Sequence, residues 1–413
     1  MTRIDILNYY RKLIEKSRSF YSKHLNVRKL RKPIEKVRAF RATYFNVKPI
    51  DVFLIIAVIM ALVYIVVNRS CEAVNEPERI NITISSQYVN LLGKDTVNAL
   101  IQEFEKLNPE LRIQEAANDN VDIVFFDESD FGNVINASAL AAPNAYRPLV
   151  SFMDIFIYNI DILKAANLDR PPKTRAEFLA AARAVAESDK GSESPVSPFA
   201  LGLSPADPLA LRRDFYPWIW ASGVDIHAID LSGDNPALPR AVMDIIALFG
   251  QLNREKLLAP ETFEKTGSQR LQEFANGNIA MMTISARDIA FLLNNADGIT
   301  LGITALPAIT QGKNRLGLSN LYAGISSSSA VPNEAWVFLS FLVEKSNVLA
   351  EALNAIPAHL TVGFTGEYIE KSELYSKAWD IFEAADIVDY EPGEPSEETF
   401  NRLIREKLVE AFE

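Results

Sequence analysis

The chain has 413 residues with 53 Asp/Glu against 42 Lys/Arg, a net charge of −11, one cysteine and three histidines. A lone cysteine excludes an intrachain disulfide framework. The sequence also lacks clustered His/Cys ligand spacing, a Gly-x-Ser-x-Gly elbow and a Gly-x-x-x-x-Gly-Lys loop, which removes the readable zinc, hydrolase and nucleotide chemistries.

The charge is unevenly distributed. Residues 1–49 carry fourteen Lys/Arg and three acids, a balance of +11, whereas the chain beyond Arg69 carries −22. Within the basic part, Ile4, Leu7, Tyr10, Leu13 and Ile14 recur at helical spacing, so an amphipathic segment is expected. On an anionic leaflet each base adds about 1 kcal/mol of attraction. A cytoplasmic partner helix is the other reading, and nucleic acid is not expected as a partner because no recognition motif accompanies the charge.

Between Val52 and Val67 the chain reads VFLIIAVIMALVYIVV, sixteen residues without a charge, amide, Gly or Pro. With its flanks this run matches the about 20 helical residues that cross a hydrocarbon core of roughly 30 Å, and it predicts a transmembrane anchor over 50–68 in contact with membrane lipid. Basic flanks stay cytoplasmic, so residues 1–49 are expected inside and the acidic body outside, in the periplasm or extracellular space. The long basic leader and the missing small-x-small site argue for an anchor rather than a cleaved signal. Cys71 then lies in a linker, 69–79, as a free thiol or as a lipidation site that Arg69 fits poorly. Pro77 discourages any continuation of the helix.

A body of two domains by size begins at Ile80. Ile80, Ile82 and Ile84 alternate with polar residues as a strand, and 94–106 places Val97, Leu100, Ile101 and Phe104 on one helical face up to the Asn108-Pro109 stop. Strands follow at 111–114 and 121–126. Apolar strands separated by helices predict a parallel sheet covered on both faces, with ligands beyond the strands' carboxyl ends. Ser85, Ser86 and Gln87 after the first strand and Asp127 after the third are therefore candidates to line a cleft, or are ordinary turn residues.

Further on, Thr174 followed by Glu177 reads as a capping box opening a helix that runs through Val185. The surrounding segment, Phe156-Ile157-Tyr158-Asn159 and then Pro171-Pro172-Lys173-Thr174, resembles the family 1 extracellular solute-binding proteins, in which a strand ends in Tyr-Asn and Pro-Pro-x-Thr-x-x-Glu opens the next helix. Asn167 stands where that family has Gly. Four more matches follow in order. They are the aromatic stretch Phe215-Tyr216-Pro217-Trp218-Ile219-Trp220, the Phe274-x-x-Gly277-x-x-Ala280-Met281 helix stop and strand, the strand ending in Leu306-Pro307, and Tyr322-Ala323-Gly324 with the Ala335-x-x-Phe338-Leu339-x-Phe341-Leu342 helix.

The resemblance implies an α/β, two-lobed periplasmic-binding-protein-like fold with hinge crossings. Lobe 1 would comprise 80–150 with 303–326, and lobe 2 would comprise 151–302 with 327–413. It implies a binding protein rather than an enzyme, no cofactor, and capture of a small solute of the carbohydrate class for an ABC permease. A membrane-tethered sensor that uses the same fold without transport is the alternative. Tyr216, Trp218 and Tyr322 are expected at the ligand, together with Arg287, which replaces the family's sugar-stacking Trp. Arg287 could clamp a carboxylate or phosphate, pair with Asp288, or face solvent.

Overall fold

The computed structural model describes residues 79–413, apart from several short stretches of which the longest are 128–139, 309–314, 359–363 and 389–394, together with Met60. The basic segment, the predicted anchor apart from Met60, and Cys71 lie outside the described residues. No helix among the described residues is long and apolar enough to cross a membrane. Chain contacts separate residues 1–76 from Pro77–Glu413, and the second unit is described by itself.

The first half is built on β1 (Ile80–Ser85), α1 (Lys94–Leu107), β2 (Leu111–Ala116) and β3 (Ile123–Asp127). The alternation seen in the sequence buries Ile82 and Ile84 of β1, which pairs in parallel with β2 over its whole length and with β3 at Ile84. Helix α1 turns Val97, Leu100 and Phe104 onto this sheet. Phe104 packs 4.7 Å from Phe338 and 5.3 Å from Phe341, so its burial contributes about 2–3 kcal/mol of transfer free energy.

Two long strands carry the chain between the halves. β4 (Tyr146–Asn159) pairs with β8 (Arg315–Ile325) as far as Met153, then from Asp154 with β6 (Ile279–Ser285) and from Phe156 with β7 (Leu301–Thr304). β4 therefore changes partners between Met153 and Asp154. β8 lies antiparallel to both β3 and β4, and β6 antiparallel to β4, whereas β5 (Ser197–Ala200) runs parallel to β6. The sheet is thus mixed, not the parallel sheet that the apolar strands suggest. Burial on both faces makes a strand apolar whichever way it runs, so composition carries no record of direction.

The second half places α2 (Ile160–Ala165), α3 (Arg175–Ser188), α4 (Ala210–Asp214), α5 (Tyr216–Trp220), α6 (Arg240–Arg254), α7 (Gly267–Ala275) and α8 (Ile289–Asn295) around β5, β6 and β7. Local rules explain most boundaries. Thr174 accepts from the Glu177 amide at 3.2 Å, while Glu177 turns to the Lys173 amide at 2.8 Å and to Arg170, so half of the expected capping box forms. Gly277 ends α7 with φ 80°, and Asn167 takes the same left-handed region at φ 58° after α2. Buried Asn159 caps α2 by accepting from the amides of Asp161 at 2.9 Å and Ile162 at 3.1 Å. Asn159→Ala is expected to cost about 1–2 kcal/mol, read as a lower urea midpoint with unchanged slope.

Residues 327–358 correct an expectation. The expected boundaries put α9 (Pro332–Glu344) and α10 (Ser346–Leu353) with the second lobe, whereas Ala335, Phe338, Leu339 and Leu349 share one core with Ile82, Ile123 and Phe125. The chain has already recrossed along β8, so the helices that follow it meet the first sheet. β7 likewise stops at Thr304 and pairs only with the Asp154 side of β4, which leaves β8 as the return crossing. After β9 (Ile356–Pro357), the chain adds α11 (Glu367–Lys371), α12 (Glu373–Glu383) and β10 (Asp386–Val388). α13 (Pro395–Phe412) then closes the second core with Phe400, Ile404 and Leu408.

Candidate functional site

A cavity of about 290 Å³ opens where β4 and β8 pass between the halves. The first half contributes Asp127 from the end of β3. The crossing strands contribute Phe152, Asp154, Ser319 and Asn320, and the second half supplies Arg212, Arg213, Ser268, Arg287 and Asp288.

Asp154 and Arg212 form the floor. Asp154 lies opposite Ser285 on β6, 2% exposed, and its Oδ2 accepts from Arg212 Nη1 at 2.7 Å. Arg212 is itself buried, with its guanidinium carbon 4.4 Å over the Trp220 ring. Burial pushes the Asp154 carboxyl upward, and the charge and hydrogen bond of Arg212 pull against that rise. Arg213 runs along the second wall, bonded to Asp207 at 2.9 Å, to the Gly202 carbonyl at 3.0 Å and to Asp214 at 3.2 Å. Its guanidinium lies against Gly267, where a Cβ would occupy the same space. Glycine at the start of α7 is what lets this arginine through.

The third wall is the 3-10 turn Ala286–Asp288, capped by Ser285, whose Oγ accepts from the Arg287 amide at 3.3 Å. Arg287 is exposed, with its guanidinium carbon 5.6 Å over the Phe152 ring. Asp288 Oδ2 accepts from the Ser285 amide at 3.2 Å. Burial lifts the Asp288 carboxyl to about 6, against the pull of Arg213 and the Ser285 amide.

This sets a sign for pH. The folded value lies above the ordinary one, so the contribution of Asp288 to stability is full at acid pH and is lost as pH rises through about 6. Asp288→Asn keeps an acceptor for Ser285 and removes the charge. It is expected to flatten the stability profile between about pH 4 and 6 and to raise stability near pH 7 by about 1 kcal/mol, a ceiling reduced because the side chain partly faces the open cavity. Urea midpoints across that range measure it, and a variant whose profile keeps the wild-type slope contradicts the assignment.

Asp127 and Arg287 are the two sequence-predicted site residues that line this cavity. Ser85 closes the β1–β2 ladder and Ser86 follows it, both half-buried and outside the lining. Tyr216 and Trp218, expected at the ligand, are fully buried in the core and do not line this cavity. Trp218 sits among Phe156, Phe178, Phe199 and Phe249 at ring distances of 5.1–6.2 Å. The Tyr216 hydroxyl reaches Asn401 at 2.8 Å and Glu397 at 3.2 Å on α13. Clustered aromatics mark burial but not the face that is buried. Tyr322 lies one layer below the site, where it stacks on Phe126 at 5.3 Å and its hydroxyl accepts from Asn320 at 3.0 Å. Asn320, held also by Ser151 at 2.6 Å, faces the cavity in its place. Sequence reading missed Phe152, Asp154, Arg212 and Arg213. Asp154 left one trace, a lone acid inside the apolar run Leu149 to Tyr158 that demands a buried partner.

Several solved structures share the fold. A cyclic alpha-maltosyl-1,6-maltose binding protein from Arthrobacter globiformis aligns with a TM-score of 0.63 at 16% identity, covering 81% of this chain and 94% of its own. A putative oligosaccharide periplasmic-binding protein from Synechococcus aligns with 0.61 at 16%, covering 81% and 93%. An ABC substrate-binding protein from Listeria monocytogenes in complex with cycloalternan aligns with 0.57 at 14%, covering 81% and 94%. None of the curated proteins matches in sequence. Residues 93–348 match the family of bacterial extracellular solute-binding proteins, whose members bind rather than transform their solutes. On that match across more than half of its length, this chain belongs to the bacterial extracellular solute-binding proteins.

Proposed function

We propose that the chain captures a small carbohydrate in the cavity at the β4 and β8 crossing and passes it to an ABC permease. One observation carries the reading: an aromatic face, Phe152, stands in a ring of carboxylate, amide, hydroxyl and guanidinium groups. A sugar offers matching surfaces, an apolar C–H face to lie on a ring and hydroxyls that need partners once desolvated. The volume of about 290 Å³ equals that of about ten liquid waters, a size suited to one or two sugar rings. The sugar-binding relatives named above support the same class.

In this reading one lobe comprises 80–153 with 318–358 and the other 154–317 with 364–413, closing about the two crossing strands. Residues 50–68 hold the receptor at the inner membrane with residues 1–49 inside, which keeps it at high local concentration beside its permease.

The test is thermal unfolding of the full chain in mild detergent against a panel of mono- and disaccharides. All four tryptophans lie between positions 218 and 379, so their fluorescence reports this unit. A sugar at about 100 times its Kd adds about 2.7 kcal/mol of stability. Phe152→Ala should abolish that gain. Turnover of the bound sugar, or stabilisation that survives the substitution, contradicts the proposal.

A further inference from the structure

We propose that the solute is an acidic sugar, a uronic acid or a short oligosaccharide carrying one, and that Arg287 receives its carboxylate. This rests on the carbohydrate reading above and narrows it.

Three arginines line the cavity, and two are already committed. Arg212 is bound to Asp154, and Arg213 is divided between Asp207, Asp214 and the Gly202 carbonyl. Arg287 differs from both. Among the described residues its side chain takes no hydrogen bond and no ion pair, and the nearest acid in sequence, Asp288, turns its carboxylate back to the Ser285 amide. The Arg287 guanidinium is instead carried over Phe152 on a turn whose geometry is fixed by the Ser285 cap.

A guanidinium lying over an aromatic face keeps the N–H fork at its edge open for a planar partner. A carboxylate meets that fork with two parallel hydrogen bonds, which a hydroxyl cannot do. Phe152 is the ring proposed to meet the sugar, on the part that the guanidinium leaves open, so ring and acid would be held by adjacent groups, Phe152 and Arg287. The negative charge of the body beyond Arg69 opposes the approach of an anion, but at physiological salt that repulsion reaches only about 8 Å. Selection therefore falls to the groups inside the cavity.

The experiment is titration calorimetry of the full chain in mild detergent with matched probes, D-galacturonate against D-galactose and D-glucuronate against D-glucose, with digalacturonate as the longer acid. The expected result is that the acidic member of at least one pair binds roughly tenfold or more tighter than its neutral counterpart, the strength of a charge-assisted bond. Arg287→Gln should bring the pair within about threefold of each other, and Arg287→Lys, which keeps the charge without the fork, should fall between. Unliganded thermal midpoints show whether the variants are folded, and an exposed site predicts that they are. Neutral sugars binding as tightly as acids, or an acid preference that survives Arg287→Gln, overturns this inference and leaves the carbohydrate reading standing. If no acidic probe binds while a neutral sugar of the wider panel stabilises the chain, this inference falls alone; if that panel fails as well, the carbohydrate reading falls with it.

Discussion

Arg212→Met is expected to lower the unfolding free energy by about 3–5 kcal/mol, the usual cost of leaving one partner of a buried ion pair alone. Asp154 is 2% exposed and takes its short bond from Arg212 at 2.7 Å. Without that cation, burial is the dominant influence on the carboxyl, which escapes by taking up a proton. The penalty should therefore shrink as pH falls, because a group whose folded pKa is raised favours the folded state most at acid pH and least once pH has climbed through that pKa. Adding Asp154→Asn to Arg212→Met removes the stranded charge and should recover more than half of the loss. Urea unfolding followed by tryptophan fluorescence measures both effects. A single-variant cost below about 1 kcal/mol would mean that the pair is already water-screened and does not form the floor of the site.

The second large effect is expected at Gly317 on β8. A Cβ there would overlap the six-membered ring of Trp220, which is fully buried and has the Arg212 guanidinium 4.4 Å over it. The backbone cannot yield easily, since Gly317 is also paired to Val388 of β10, nor can the ring, which is buried. Gly317→Ala should cost about 3 kcal/mol, at the upper end of overpacking effects. Trp220→Phe deletes the offending ring atoms and is destabilising alone, but combined with Gly317→Ala it should cost less than the sum of the two. Strict additivity in that double-mutant cycle would show that the two residues do not touch.

Much of the local structure was legible because its causes are local. Thr174 and Glu177 announce a helix start, and Gly277 supplies a left-handed stop. The alternating isoleucines at 80, 82 and 84 give one face of a strand, all within a few residues of chain. The site was harder to read because its groups meet across long separations. Arg212 finds Asp154 from 58 residues away, Ser151 bonds Asn320 from 169 away, and nothing near either residue in sequence signals the meeting. Tyr216 and Trp218 misled for a related reason. An aromatic run states that large apolar area will be covered, while whether protein or ligand covers it depends on partners distant in sequence, Phe156, Phe178 and Phe199 before it and Phe249 and Phe400 after it. Asp127 and Arg287 do line the cavity, the first expected from its place at a strand end and the second from its place in the family resemblance.

The return of the chain along β8 also sets a timetable for synthesis. β1 and β3 need Leu321, Ala323 and Ile325 of β8 and Phe338 of α9 to complete their core, and the opposite half waits for Phe400, Ile404 and Leu408. At the usual elongation rates the roughly 240 residues between β1 and the end of β8 take about 10–50 s to translate. During that interval the first strands emerge with an unpaired edge and an uncovered apolar face. The nascent chain is thus a natural client for a holdase, and slowing translation across residues 130–315 should raise its aggregation rather than improve its yield.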